Sequence, residues 1–104
     1  MPIPYNKSDL DLLDRSDHKV KKPPMYHVIL LNDDFTTQDF VVFILQKIFH
    51  KSQRDAESLM LDVHLIGKGI AGTYIREVAE TKVKETMDLA KLEQHPLMAV
   101  LEKT

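Results

Sequence analysis

Between residues 25 and 104 the chain falls into blocks of apolar positions, each with its own period. Tyr26 to Leu31 is a short, partly β-branched apolar run, which predicts a buried strand. It exits onto Asn32-Asp33-Asp34. Phe40, Val41, Ile44, Leu45 and Ile48 then recur at spacings of three and four, which places them on one face of a helix running to about Phe49. Thr36 or Thr37 supplies its N-cap, with Gln38 and Asp39 in the first turn. Ser52 followed by Asp55 opens a second helix as an acidic variant of the capping box. Its stripe is Ala56, Leu59, Met60, Val63 and His64, and it ends before Gly67.

Gly67, Gly69 and Gly72 are the only glycines in the chain, so this cluster reads as turn chemistry leading into an extended segment. Residues Ile70 to Val78 are expected to form a strand with Tyr74, Ile75 and Val78 as its packing residues. Gly72 marks a bulge or a close backbone approach. The segment IREVAETK also suits a helix. Thr81 is the expected N-cap of a third helix, whose inner stripe is Val83, Met87 and Ala90 and which stops before Pro96. Leu97 to Leu101 is a last short strand. The order strand, helix, helix, strand, helix, strand predicts an α+β fold, with three helices covering one face of a three-stranded sheet.

Residues 1–24 read differently. Pro2, Pro4, Pro23 and Pro24 bracket a segment in which Asp9, Asp11, Asp14 and Asp17 precede Lys19, Lys21 and Lys22. The expectation is a flexible N-terminal extension, either a solvated terminus or a tether that a partner grips, ahead of one domain at 25–104. The absence of cysteine excludes a disulfide scaffold, a thiolate zinc site and a cysteine nucleophile. With 14 basic against 16 acidic residues, no net positive field draws phosphate, so nucleic acid is not an expected partner. No apolar run reaches transmembrane length and no secretion signal opens the chain, so a soluble cytoplasmic monomer is the expectation.

The chain is short of catalytic pairs. His18, His50 and His95 are expected at the surface, and His27 at a core edge or on the open face of the sheet. HxxxH and HExxH spacings are absent, as are GxSxG, GxGxxG and the phosphate loop, so no metal or cofactor is expected. What remains is a binding argument. Asn32, Asp34 and His64 offer an amide oxygen, a carboxylate and a neutral imidazole, all able to accept from one ammonium. Met60 and Val63, with Val41 and Leu97, would line an apolar well beside them. Such a site would read a peptide N-terminus bearing a large hydrophobic side chain.

From Tyr26 to Glu102 the chain resembles the ClpS adaptor family. The matching segments are VILLNDDFTTQDFVV, AESLMLDVHLIGKG, REVAETK and the HPL…LEK ending. The resemblance implies a small α+β domain without chemistry of its own. It would capture N-degron proteins whose first residue is Leu, Phe, Trp or Tyr and hand them to ClpA, the unfoldase of the ClpAP protease. By that resemblance Asn32, Asp34 and His64 hold the α-amino group, with Asp33 beside them at the peptide. Thr36, Val41, Met60, Val63 and Leu97 take the first side chain. Glu77 and Lys82 lie on the face that meets the ClpA N-terminal domain, and residues 1–24 are the segment engaged at handover. Two positions depart from the family pattern. Gln38 stands where the family carries a methionine gate at the pocket mouth, and Phe35 stands where a tyrosine is frequent. The alternative is a regulatory domain that binds an unfoldase without reading N-terminal residues. An enzyme pairing His64 with Asp34 lacks a nucleophile and an oxyanion device.

Overall fold

The computed structural model describes residues 22–104. The expected extension therefore lies outside the described residues, except for residues 22–24, which are exposed and belong to no element. The elements follow the predicted order: β1 (Met25–Leu31), α1 (Gln38–Lys47), α2 (Gln53–Ile66), β2 (Lys68–Ile75), α3 (Arg76–Leu92) and β3 (Met98–Lys103).

β1 is the middle strand, antiparallel to both neighbours, in the order β2-β1-β3. Alternation along it sends Val28 and Leu30, both fully buried, toward the helices, with Tyr26 packed at the edge of the same core. Their cross-strand partners on that face are Gly72 and Gly69 on β2, and Leu101 and Ala99 on β3. The main core forms where α1 and α2 meet this face through Phe40, Ile44, Leu45, Ala56 and Val63. The opposite face stays open, with Ile29 buried among half-exposed Ile70 and Val100. Register slips between Val28 and Ile29, which pair with Gly72 and Ile70 and leave Ala71 as the extra residue. That is a bulge next to the glycine that predicted it.

Local chemistry sets the ends of the elements. The Thr37 hydroxyl accepts from the Phe40 N–H at 3.1 Å and the Ser52 hydroxyl from the Asp55 N–H at 3.1 Å, so both predicted caps start helices. α2 ends on Gly67 at φ 102, a left-handed cap that side chains resist. Gly69 then lets β2 run close under α2, since a Cβ there would lie 2.9 Å from Val63 Cγ2.

Other boundaries differ from expectation. α3 begins at Arg76, so β2 stops at Ile75 rather than Val78, and Thr81 lies inside the helix instead of capping it. Its hydroxyl donates to the Glu77 carbonyl at 3.1 Å. Packing explains the shift. Ala79 is fully buried and shares a stripe with Thr86 and Ala90, a helical spacing that a strand could not satisfy. Ile75 and Val78 are correspondingly well exposed, while Val83 and Met87 pack at the margin of the core. β3 starts one residue late and runs to Lys103, and α1 closes at Lys47 with Ile48 as its C-cap.

Thr86 is fully buried, and its hydroxyl finds no hydrogen-bond partner among the described residues. Thr86→Val keeps the branched shape and removes that hydroxyl. Its stability in urea unfolding is expected to match or exceed that of the native protein by up to about 1 kcal/mol. Thr86→Ala, which also leaves a void, is expected to fall below both. A clearly destabilised Thr86→Val protein would mean that the hydroxyl is satisfied.

Candidate binding site

The site starts where β1 runs out. The Asn32 N–H donates to the Gly67 carbonyl at 2.9 Å, tying the strand exit to the end of α2. Asp33 then folds the loop around its own carboxylate. One oxygen accepts from the N–H groups of Phe35 at 2.8 Å and Thr36 at 2.7 Å, and the other accepts from the Thr36 hydroxyl at 2.6 Å. Partial burial alone would push the Asp33 carboxyl up. The Thr36 hydroxyl, the two N–H groups and the charge of nearby His95 outweigh it, holding Asp33 below the ordinary aspartate value. Thr37 closes the loop by capping α1, which delivers Val41 one turn later. On the other wall, Met60, Val63 and His64 project from one face of α2 at spacings of three and four.

These elements enclose a cavity of about 410 Å³ lined by Asn32 to Gln38, Val41, Met60, Val63 and His64. Val41 and Val63 are buried and Met60 is half-buried, forming an apolar floor, while Asn32, Asp34 and His64 are exposed at the rim. Among the described residues, no hydrogen bond engages the side chains of those three. Among the described residues no lysine or arginine lines the cavity, and Asp33 and Asp34 give it negative character. The arrangement suits a ligand with a cationic, hydrogen-bond-donating end and an apolar body. Among the described residues there is no group of three or more side chains placed to hold a metal ion.

Asn32, Asp33, Asp34, Thr36, Gln38, Val41, Met60, Val63 and His64 are thus brought together. Within that set Asp33 stands apart, because both its oxygens already serve the loop. Leu97 is not brought to this cavity. It is buried at the entry to β3 and borders a separate depression with Met87, His95 and Met98. Phe35 and Thr37 line the cavity although the sequence reading did not select them for it. Continuity of the loop between Asp34 and Gln38 was the available signal.

The remaining candidates lie on α3. Glu77 is exposed in its first turn. Lys82 is half-buried and its ammonium donates to the Ile48 carbonyl at 2.7 Å, at the end of α1, with the Tyr74 ring centre 5.9 Å away. A cation there complements the negative end of the helix. The surface expectation for the histidines holds for His50, which is exposed in a left-handed conformation, but not for His95, which is half-buried against Phe40. His18 lies outside the described residues. His27 is half-buried on the open sheet face and bonded to Thr73.

A hydrogen-bonded loop, acceptors without a hydrogen-bond partner among the described residues and an apolar floor make a candidate ligand site on a domain of the α+β class. Comparison with known proteins narrows this. Residues 21–100 match the model of the family described as "ATP-dependent Clp protease adaptor protein ClpS". The chain is 50% identical over 93 residues to the Hyphomonas neptunium ClpS, covering 89% of this chain and 79% of that one. It is 44% identical over 103 residues to the Burkholderia mallei ClpS, covering 99% of each. The structure of Agrobacterium tumefaciens ClpS2 bound to L-phenylalaninamide superposes with a TM-score of 0.77 at 37% identity, covering 80% of this chain and 100% of that one. The chain belongs to the ClpS family, the adaptors of the Clp protease. Its members are adaptors and not the protease itself. Among the described residues, no helix is long and apolar enough to cross a membrane.

The lowered titration of Asp33 has a consequence for stability. A carboxyl held below its unfolded value binds protons less readily when folded, so its contribution is full above about pH 4 and is lost as pH falls further. Asp33→Asn is expected to be less stable than the native protein at neutral pH, with the gap closing in acid. Urea unfolding of both proteins across a pH series checks this. A gap that widens below pH 4 would contradict the sign.

Proposed function

We propose that the chain captures proteins by a free N-terminal α-amino group and a bulky hydrophobic first side chain, Leu, Phe, Trp or Tyr, and delivers them to a ClpA-type unfoldase. The observation that carries the reading is the pairing of three unengaged acceptors, Asn32, Asp34 and His64, with an apolar floor of Val41, Met60 and Val63 in one cavity. An α-ammonium offers three donors and one positive charge, and the rim offers an amide oxygen, a carboxylate and an imidazole nitrogen. L-Phenylalaninamide, the molecule bound by the Agrobacterium tumefaciens relative, has a free amine and an aromatic side chain, which supports the same division of labour here.

In this reading Asp34 offsets the ammonium charge, while Asn32 and His64 fix its direction. Asp33 holds the loop on which Asn32 and Asp34 stand. Thr36, Thr37 and Gln38 border the mouth of the pocket, where Gln38 replaces the family's methionine. Glu77, exposed on α3, remains open to an unfoldase, whereas Lys82 combines any such contact with its bond to the end of α1. Residues 1–24 are the segment the unfoldase engages at handover.

The test is a titration with a Leu-initiated peptide and its N-acetylated form. Acetylation removes the charge and leaves one donor, so rim acceptors lose their partners on binding, at about 1–3 kcal/mol for each unsatisfied group. Binding weaker by tenfold or more corresponds to about 1.4 kcal/mol and is the expected result. Equal affinities would refute capture through the amine. Delivery is tested separately, by degradation of a Leu-initiated substrate with ClpAP. Removal of residues 1–20 is expected to leave peptide affinity unchanged and to abolish degradation, and normal degradation would refute the handover role.

A further inference from the structure

Next to the acceptor loop, the first turn of α1 is braced by an aromatic contact from outside the cavity lining. His95 lies between α3 and β3 with its ring stacked on Phe40, the ring centres 4.2 Å apart and the planes 20° from parallel. Phe40 sits in the first turn of α1, and its N–H is the one capped by Thr37 at the end of the loop. His95 therefore presses on the turn where the loop becomes helix.

The backbone of His95 is itself fixed. Its N–H donates to the Ala90 carbonyl at 2.7 Å, and the Gln94 N–H donates to the Lys91 carbonyl at 3.1 Å. This is the paired closure that ends a helix around a left-handed residue. That residue is usually glycine, yet here it is Gln94 at φ 63. A side chain in that region carries strain, which persists only where neighbouring contacts over-determine the conformation. The charge of His95 is the weakest of the influences that lower the Asp33 carboxyl, behind the hydrogen bonds from Thr36 and Phe35. Neither His95 nor Phe40 lines the cavity.

We propose that His95 is a positioning residue of the acceptor loop, acting through its stack on Phe40 without touching a ligand. The flat imidazole clamps the first turn of α1 from behind, while Asp33 draws the loop together from within. Together they hold Asn32 and Asp34 at a fixed distance from His64 on α2. The effect on ligand affinity rests on the reading that this loop captures an amine. The bracing itself does not.

The experiment compares native protein, His95→Phe and His95→Ala in two measurements. The first needs no ligand: amide hydrogen exchange at Thr36, whose N–H donates to Asp33, with the amides of β1 as the reference. The second is titration with a free-amine Leu-initiated peptide. His95→Ala is expected to speed exchange at Thr36 by about tenfold while β1 is unchanged. The same variant is expected to weaken the peptide by about fivefold. His95→Phe keeps a planar ring on Phe40 and is expected to restore both to within about twofold. If His95→Ala does not fold, His95→Leu fills the volume without a flat face and carries the same expectations. Unchanged exchange at Thr36 overturns the proposal, as does an equal rise at Thr36 and β1, which is a global loss of stability. So does a His95→Phe protein that behaves like His95→Ala. A native protein that binds acetylated and free-amine peptides alike would refute the capture reading instead, and Thr36 exchange would then decide the role of His95 alone.

Discussion

The backbone hydrogen bond from Asn32 to Gly67 sets the geometry on which the site depends. It joins the last turn of α2 to the exit of the central strand, and so fixes the distance between the two sources of acceptors. The bond is available because Gly67 takes a left-handed conformation, which ends α2 and turns its carbonyl toward the strand. A residue with a side chain would meet no neighbour there, so the penalty for replacing Gly67 is one of backbone conformation alone. Everything at the cavity is built outward from this junction. Asp33 folds the next few residues, Thr37 launches α1, and α2 contributes His64 one turn before the glycine.

That construction explains why two adjacent aspartates have different roles. Asp33 is consumed by three hydrogen bonds within its own loop and serves as an organiser, whereas Asp34 is exposed at the rim. Asp34 has no hydrogen-bond partner among the described residues, and its exposure keeps the cost of that small because water can solvate it. A ligand that displaces water from Asp34 must return a donor or a charge, which is why the proposed ligand is an amine. The apolar floor below, where Val41 and Val63 are buried, adds affinity for a side chain but little direction. In the proposed function, a cavity divided in this way would recognise a chain end and leave the rest of the captured protein free for delivery.

Much of this was legible in the residues. The alternation of Tyr26 to Leu31, the three-and-four spacing from Phe40 to Ile48 and the caps at Thr37 and Ser52 each name one element, and the polar exit after Leu31 marks the site. The errors have physical causes. The segment after Tyr74 supports either strand or helix locally, and only the burial of Ala79 against the sheet decides for helix. His95 beside Pro96 looks like a surface turn. Its burial arises from a left-handed glutamine and a long-range stack on Phe40, and neither has a local signature.

The central claim is that Asn32, Asp34 and His64 jointly hold an α-ammonium above an apolar floor. A crystal structure of the complex with a Leu-initiated peptide tests it most directly. The expected result is the peptide nitrogen within about 3 Å of the Asn32 amide oxygen, an Asp34 carboxylate oxygen and a His64 ring nitrogen, with the leucine side chain against Val41, Met60 and Val63. A peptide seated elsewhere, or bound in this cavity with its amine turned to solvent, would contradict it.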